Sequence, residues 1–450
     1  MTGRRRILAS VMMLALSPGV ALGAELDLGG ELWVDTRVFF QPPEWLQQSD
    51  RWVQPSLALT GAMTLTFDGG EDVLRLVPFG RVDPTVSART HWDIREAYYL
   101  HKDDGIDVLV GANRVFWGVT ESRHLVNIIN QPDYLEDIDG EDQLGQPMVN
   151  VSMFGDWGTL DLYAMTGFRE RQFPNQDGRY SLPIDIDEDE ARFQSDLGIW
   201  QPDLAVRFRT TVDNWDFGLS HFYGTSREPR FGLELEGAAE NLPPAVKAQI
   251  ENMTLDGLGS LADLENALAG TGISPAQALN FLDNFVALAP IYDVINQSGI
   301  EALGVYDDLI LKFEGVTISG HGGDRIWAGV AGFEYTLSDV ASSGMDVGLL
   351  GEYMYDSRDI GDGPYTVLDN DVFAGVRVAF NNQDGTSLLV GGYVDVELGS
   401  TILTAELESR IDDYLKLSVE ARGYPYVNQN DALAYFQKDS YVQVRFSFFF

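Results

Sequence analysis

Taken two residues at a time, the chain sorts its side chains onto two faces along much of its length. In 371–380, Val372, Ala374, Val376, Val378 and Phe380 share one face and Arg377 stands on the other. In 402–410, Leu403, Ala405, Leu407 and Ser409 oppose Thr404, Glu406, Glu408 and Arg410. In 415–422, Leu415, Leu417, Val419 and Ala421 oppose Lys416, Ser418, Glu420 and Arg422. In 387–397, Leu388, Val390, Gly392, Val394 and Val396 oppose Tyr393, Asp395 and Glu397, and in 203–209 Leu204, Val206 and Phe208 oppose Arg207 and Arg209. The final stretch, "SYVQVRFSFFF", sets Val442, Val444, Phe446, Phe448 and Phe450 against Tyr441, Gln443, Arg445 and Ser447. Period-two alternation of this kind predicts strands with one apolar and one wetter face.

About sixteen such strands are predicted, each near the roughly 9–11 residues that a tilted strand needs to cross a bilayer. They fall at 26–40, 54–68, 71–82, 91–102, 104–116, 146–155, 158–168, 201–211 and 213–224, and again at 325–338, 343–356, 369–382, 384–397, 400–410, 413–425 and 440–450. Tight turns rich in Asp, Asn and Gly, such as "DGGE" (68–71), "KDDG" (102–105) and "NNQDG" (381–385), alternate with longer polar connections at 41–53, 83–90, 117–145, 169–200, 225–324, 357–368 and 426–439. Those residues supply the positive φ that tight hairpins require. Short and long connections alternate, with 398–399 as the one brief member of the long side, which is the pattern of a closed up-and-down barrel; a Greek-key sandwich would mix its connections. The fold class is therefore all-β: a closed antiparallel transmembrane barrel, with no second layer to cover so many apolar faces except lipid. Glu96 falls out of phase, on the side of Trp92 and Ile94, which predicts a bulge in that strand. Trp33, Phe39, Phe40, Trp92, Tyr98, Tyr99, Phe116, Trp117, Trp157, Trp215, Tyr223, Trp327, Tyr353 and Tyr355 recur near strand ends, where interfacial girdles form.

One segment departs from this pattern. Residues 238–312 contain "SLADLENALAG", "SPAQALNFLDNFVALAP" and "GIEALGVYDDLILK". Ser274 and Pro275 read as an N-cap and a first helical residue, and Ala278, Phe281, Leu282, Phe285 and Leu288 share a helical face. A helical insert in an outer loop is expected, either narrowing the mouth or standing above it as a lid or a separate small domain. Residues 117–145 are the other candidate for narrowing the lumen.

The start of the chain adds a compartment. Arg4, Arg5 and Arg6 precede an apolar stretch from Ile7 to Leu16, and Ala21 and Gly23 flank a small-residue cleavage position. Residues 1–23 read as a secretory signal peptide, leaving a barrel over 24–450. No later apolar run reaches the ~18 residues of a membrane helix. The chain has no Cys, which removes disulfides, thiolate metal sites and Cys nucleophiles.

Charge excludes one class of partner. With 69 acidic against 30 basic residues and a formal net charge of −39, nucleic acid is not expected. Exposed acidic loops and a cation-preferring cavity both remain compatible with it. Two acidic clusters, Glu136, Asp137, Asp139, Glu141 and Asp142, and Asp185, Asp187, Glu188, Asp189 and Glu190, offer hard oxygens for Ca²⁺. Within them Asp137, Asp139, Glu141, Asp185, Asp187 and Asp189 are the candidate ligands, but Met148 stands where a calcium loop from Asp137 would carry its Glu. No other cofactor is expected. His91, His101, His124, His221 and His321 form no paired-ligand spacing, no nucleophile or phosphate-loop motif is present, and the protein is not expected to be an enzyme.

Charged residues on the wet faces are the candidate pore lining: Arg37, Arg75, Arg95, Arg114, Arg207, Arg209, Glu334, Glu352, Arg377, Asp395, Glu406, Glu408 and Arg422. Arg81 and Glu397 fall in the same set. Basic and acidic sectors facing one another would set up a transverse field that filters polar solutes; a salt-bridged, sealed interior is the alternative.

The leader, the strand pattern and the aromatic terminal strand together resemble Gram-negative outer-membrane porins. In that class the last strand, here "YVQVRFSFFF" with Phe446, Phe448 and Phe450, is the signal read by the barrel-assembly machinery. A second stretch, 93–133, with "DIREAYYL", "VLVGANRVFWG" and "ESRHLVNIINQPD", is similar to uncharacterised proteobacterial outer-membrane barrels and, distantly, to alginate-export-type channels. The resemblance implies an outer-membrane channel for passive passage of small polar or charged solutes, in contact with lipid and lipopolysaccharide and open to homo-oligomer formation. A structural or adhesive barrel whose loop binds a partner, or a channel for hydrophobic compounds, is the alternative.

Overall fold

The computed structural model describes residues 24–45, 48–182, 184–235, 286–358 and 363–450. The predicted leader, 1–23, lies outside them. Strands follow one another as β1 (Glu25–Phe39), β2 (Val53–Phe67), β3 (Asp72–Val82), β4 (His91–Asp103), β5 (Ile106–Asn113), β6 (Gln146–Gly155) and β7 (Gly158–Met165). A two-residue strand, β8 (Arg192–Phe193), precedes β9 (Asp203–Val212), β10 (Trp215–Thr225), β11 (Arg230–Leu235) and β12 (Val286–Tyr292). Then come β13 (Val294–Tyr306), β14 (Leu309–Ser319), β15 (Ile326–Leu337), β16 (Asp346–Asp356), β17 (Asn370–Ala379), β18 (Ser387–Asp395), β19 (Thr401–Arg410), β20 (Leu415–Tyr426) and β21 (Tyr441–Phe449).

Eighteen of these pair antiparallel, each with its neighbours in sequence, and the ring closes where β1 meets β21. The register there sets Arg37 against Gln443 and Asp35 against Arg445, and the last residue completes the seam, Gly30 N–H donating to Phe450 O at 3.0 Å and Phe450 N–H to Gly30 O at 3.1 Å. Closure leaves no strand edge exposed, the condition for a sheet surrounded by lipid. Short turns gather at one end; Asp68, Asp213, Asp307 and Asn381 take positive φ in four of them. Long connections gather at the other end, where β8, β11 and β12 form a separate small sheet.

The outward face carries the apolar residues that alternation assigned to it, among them Leu32, Val34, Leu57, Leu59, Val376, Val390, Leu403, Phe446 and Phe448, all exposed. The barrel has eighteen strands rather than about sixteen. The two extra ones are β13 and β14, inside the stretch 225–324 read as a connection; β13 and the first turn-side residues of β14 fall in the part read as helical. Residues 286–312 are β throughout, apart from Asp293 and the turn at 307–308; 238–285 lie outside the described residues. The helical reading failed because β13 and β14 point apolar side chains both ways. Ile295, Val316 and Ile318 face the interior while Ile300 and Phe313 face outward, so no clean period of two survives.

The predicted bulge is present. Between β3 and β4 the register shifts at Val77/Pro78, and Arg95 is the extra residue between Ile94 and Glu96. Arg95 and its neighbour Glu96 are thereby both delivered to the interior, with Trp92 and Ile94 left on the lipid side. Four of the aromatic residues assigned to a girdle lie elsewhere: Trp33, Phe39, Trp117 and Tyr98 face inward. Trp33 shares its face with Asp35 and Arg37, packs on Ala58 and Phe79, and lies under the guanidinium groups of Arg81 and Arg445.

Candidate functional site

An eighteen-strand ring encloses more space than its own inward side chains fill. The chain fills much of the loop-end half with residues 114–145, the connection from β5 to β6. This lumen loop has two limbs, each fixed by a different kind of contact.

The outgoing limb crosses to the far wall. There Glu314 of β14, fully buried, accepts from Val119 N–H at 2.6 Å, Thr120 N–H at 3.0 Å, Thr120 Oγ at 2.7 Å and Val126 N–H at 3.2 Å. On β16, Glu352 accepts from the N–H groups of Glu121 and Ser122, both at 2.8 Å, and from Ser122 Oγ. The two wall carboxylates thus hold one irregular turn by its backbone, where no secondary structure could satisfy those donors. Around this anchor Trp117, Val126, Ile128 and Ile129 pack on inward residues of β6 to β15, including Met148, Tyr163, Phe222 and Ile295. The result is an apolar core inside the ring.

The returning limb runs along the opposite wall and is held by charge. Arg95 NH2 donates to Asp133 Oδ2 at 2.6 Å. Arg81 grips Glu136 with two nitrogens, at 2.8 and 2.5 Å, and reaches Asp35 at 2.8 Å. Arg37 stands 3.6 Å from Asp137. Burial alone would push the Glu136 carboxyl up, but Arg81, with Arg89 and Arg95 behind it, holds it below the usual range. His91 Nε2 lies 3.9 Å from Asp133 and 3.7 Å from Glu136, and these three residues bring their ligand-type atoms within 4.8 Å of one another. Both carboxylates are already held by arginines, so the trio works as part of the clamp.

The wet-face residues singled out on the strands reach the interior, though in two different settings, while Glu397 stays exposed in the turn after β18. Arg37, Arg95, Arg207, Glu352 and Asp395 are buried. Arg207 pairs with Glu301, and Asp395 accepts from the N–H groups of Glu397 and Leu398. Nearer the turn end the lumen is wetter. Arg75 and Arg114 both pair with Glu96, Arg209 pairs with Asp161, Glu334 with Lys312, Arg377 with Glu121, and Glu408 with Lys416. The Arg209 and Arg377 side chains are 48% and 39% exposed, against 0% for Arg81. Glu406 is exposed to the lumen, and Arg422 sits 3.8 Å from Glu420.

Between the two limbs lies a cavity of about 870 Å³. It reaches from His321 and Arg358 among the loops down to Glu406 and Arg422 on the barrel wall, with Glu121 and Ser122 of one limb and Asp139 and Glu141 of the other beside it. The wall it follows is β17 to β20, where Phe373, Leu389, Tyr393 and Ile402 form an apolar strip. Above it the long connections pack together: Trp45, Ile184, Leu288 and Ala434 form one cluster, and Phe39, Tyr180, Tyr424, Leu433 and Tyr441 another.

The acidic residues considered for Ca²⁺ are dispersed. Asp137 faces Arg37; Asp139 accepts from Glu141 N–H in a local turn; Asp187 caps a short turn by accepting from Asp189 N–H; Asp185 accepts from Leu288 N–H through its backbone carbonyl. Sequence reasoning did not find Glu314, which lies in the stretch 225–324 read as a long connection, nor the loop donors that it and Glu352 hold. Phe446, Phe448 and Phe450 all point outward.

No family model matches the chain, and no curated protein matches it. Among solved structures it is similar to a porin of Rhodopseudomonas blastica, at 12% identity and a TM-score of 0.40 over 95% of this chain and 100% of that one. It is similar also to a loop-L8 deletion form of OmpT, an outer membrane protein of Vibrio cholerae, at 9% identity and a TM-score of 0.43 with the same coverage. The closure of the barrel stands on its own strand pairing.

Proposed function

We propose that the protein is an outer-membrane channel that lets small polar or charged solutes pass by diffusion. One observation carries this reading: the cavity between the limbs of the lumen loop descends along β17 to β20 to Glu406, and inward arginines at that register and toward the turns, Arg377 and Arg209, are partly solvent-exposed. A barrel built only as a scaffold gains nothing from charged, hydrated side chains lining its middle, whereas a pore uses them to replace a solute's lost water. The lumen loop then sets the aperture, and the solute passes beside it rather than through the ring's centre. Residues 93–133 build the bulge, β5, the outgoing limb and the start of the returning one.

The test is single-channel conductance of the purified, folded chain in planar bilayers. Discrete steps are expected. Their absence in every electrolyte would remove the channel reading in favour of a structural barrel whose packed outer loops bind a partner.

A further inference from the structure

The geometry points to a solute class for this cavity: organic cations with an apolar body, that is, small amines and quaternary ammonium compounds. The inference rests on the channel reading and goes further in naming what the aperture selects.

Charge bookkeeping at the cavity decides the sign. Six arginines line it, but most are already committed. Arg123 is held by Asp356 at 3.1 Å and the Leu368 carbonyl at 2.6 Å, Arg227 by Asp203 at 2.7 Å, Arg230 by Asp293 at 2.7 Å, and Arg358 by Asp356 at 2.9 Å and Glu228 at 3.1 Å. Arg422 faces Glu420. Arg171 holds a backbone carbonyl and lies over the Tyr134 ring. The lining carboxylates are less committed. Among the described residues, Asp139, Glu141, Asp369 and Glu406 have no basic side chain within 4.0 Å. These four carboxylates lack a close ion pair, although Arg422 offsets part of the charge of Glu406 and Asp139 from further away, and they stand against one guanidinium, Arg171, that also has no acidic partner within 4.0 Å among the described residues. Glu406 on the wall and Glu141 on the returning limb lie on either side of the passage and within electrostatic reach of each other. A cation entering between them relieves that repulsion, and an anion adds to it.

The other lining distinguishes organic from inorganic cations. The wall leading down to Glu406 carries Phe373, Leu389, Tyr393 and Ile402, and Tyr365 and Phe436 stand nearer the loops. A potassium ion gains nothing from such a surface. An alkyl- or arylammonium buries its apolar part there, offers its charge to the carboxylates, and finds aromatic faces suited to a cation. The cavity volume of about 870 Å³ is within the ~300–1,000 Å³ usual for organic ligands.

The test uses the full chain in planar bilayers and two probes of one shape and opposite charge, benzylammonium chloride and potassium benzoate, with reversal potentials read under a gradient of each. Benzylammonium is expected to be about tenfold or more permeant over benzoate, as carboxylate focusing predicts. The double variant E141Q/E406Q should lower that ratio about fivefold. Both side chains are exposed to the lumen, and heat-modifiable electrophoretic mobility reports whether the variant barrel is folded. Tyr393→Leu should lower benzylammonium permeability relative to potassium. Benzoate as permeant as benzylammonium, or a ratio that survives E141Q/E406Q, would overturn the solute class and leave the channel standing. No conductance with any salt would instead remove the channel, and the solute class with it.

Discussion

The two limbs of the lumen loop show two ways of tying irregular chain to a barrel. The outgoing limb lies on an apolar cluster on the inner face of β6 to β15 and is held by packed side chains and by Glu314 and Glu352, which collect backbone N–H groups. The returning limb lies on β1 to β4, whose inner face is basic, and is held by arginine–carboxylate pairs. Apolar packing resists salt and has no partner to lose. Ion pairs depend on both partners and cost heavily when one is removed. The gap lies where neither method reaches, along β17 to β20.

Removing a charge from the basic wall should have the largest effect. Arg81→Ala would leave buried Asp35 with only Ser56 and the more distant Arg445, and buried Glu136 with His91 alone within 4.0 Å, a loss of about 3–5 kcal/mol for such a site. Equilibrium unfolding should show the loss, with protease cutting of the returning limb before the barrel. Glu314→Ala should come next: several loop donors would go unsatisfied at about 1–3 kcal/mol for each group lost to solvent-free surroundings, partly offset by entry of water. Its signature in bilayers would be larger, noisier current steps as the outgoing limb loosens. Ile129→Ala, at the centre of the apolar core, should cost about 2–4 kcal/mol without changing the response to salt. That last result would separate the two limbs directly, because Arg81→Ala should be salt-sensitive and Ile129→Ala should not.

The smallest effect expected is one of pH. Asp293, at the foot of β13, is buried and joins Arg230 at 2.7 and 2.9 Å and His321 at 2.9 Å. Burial pushes its carboxyl up, but those hydrogen bonds outweigh burial and hold it below the ordinary value of 3.8. A depressed folded value means stability that is present above 3.8 and lost as pH falls below it. Amide exchange in β13 should therefore quicken on acidification below that value in the wild type, and Asp293→Asn should remove the step.

Strands were legible where the inner face is charged. Arg377 in β17, Glu406 and Glu408 in β19, and Lys416, Glu420 and Arg422 in β20 each mark one face, and the phase break at Glu96 disclosed a bulge without any partner strand in view. Legibility failed along β13 and β14 for a physical reason: the lumen loop packs on that wall, so Ile295, Val316 and Ile318 stand among the polar residues of its inner face and apolar side chains fall on both faces. Trp33 was misplaced by the same rule, since a ring on a charged face was taken for a rim residue when it packs beneath two guanidinium groups. The aperture itself was out of reach, because Glu314 and Glu352 find their loop partners about two hundred positions away and no local pattern announces such pairs.

That separation has a consequence for the order of events in assembly. Val119 waits for Glu314, 195 positions later, and Glu121 for Glu352, 231 positions later. The returning limb finds its arginines on strands already made, whereas the outgoing limb has no wall to dock on until β14 and β16 have joined the sheet.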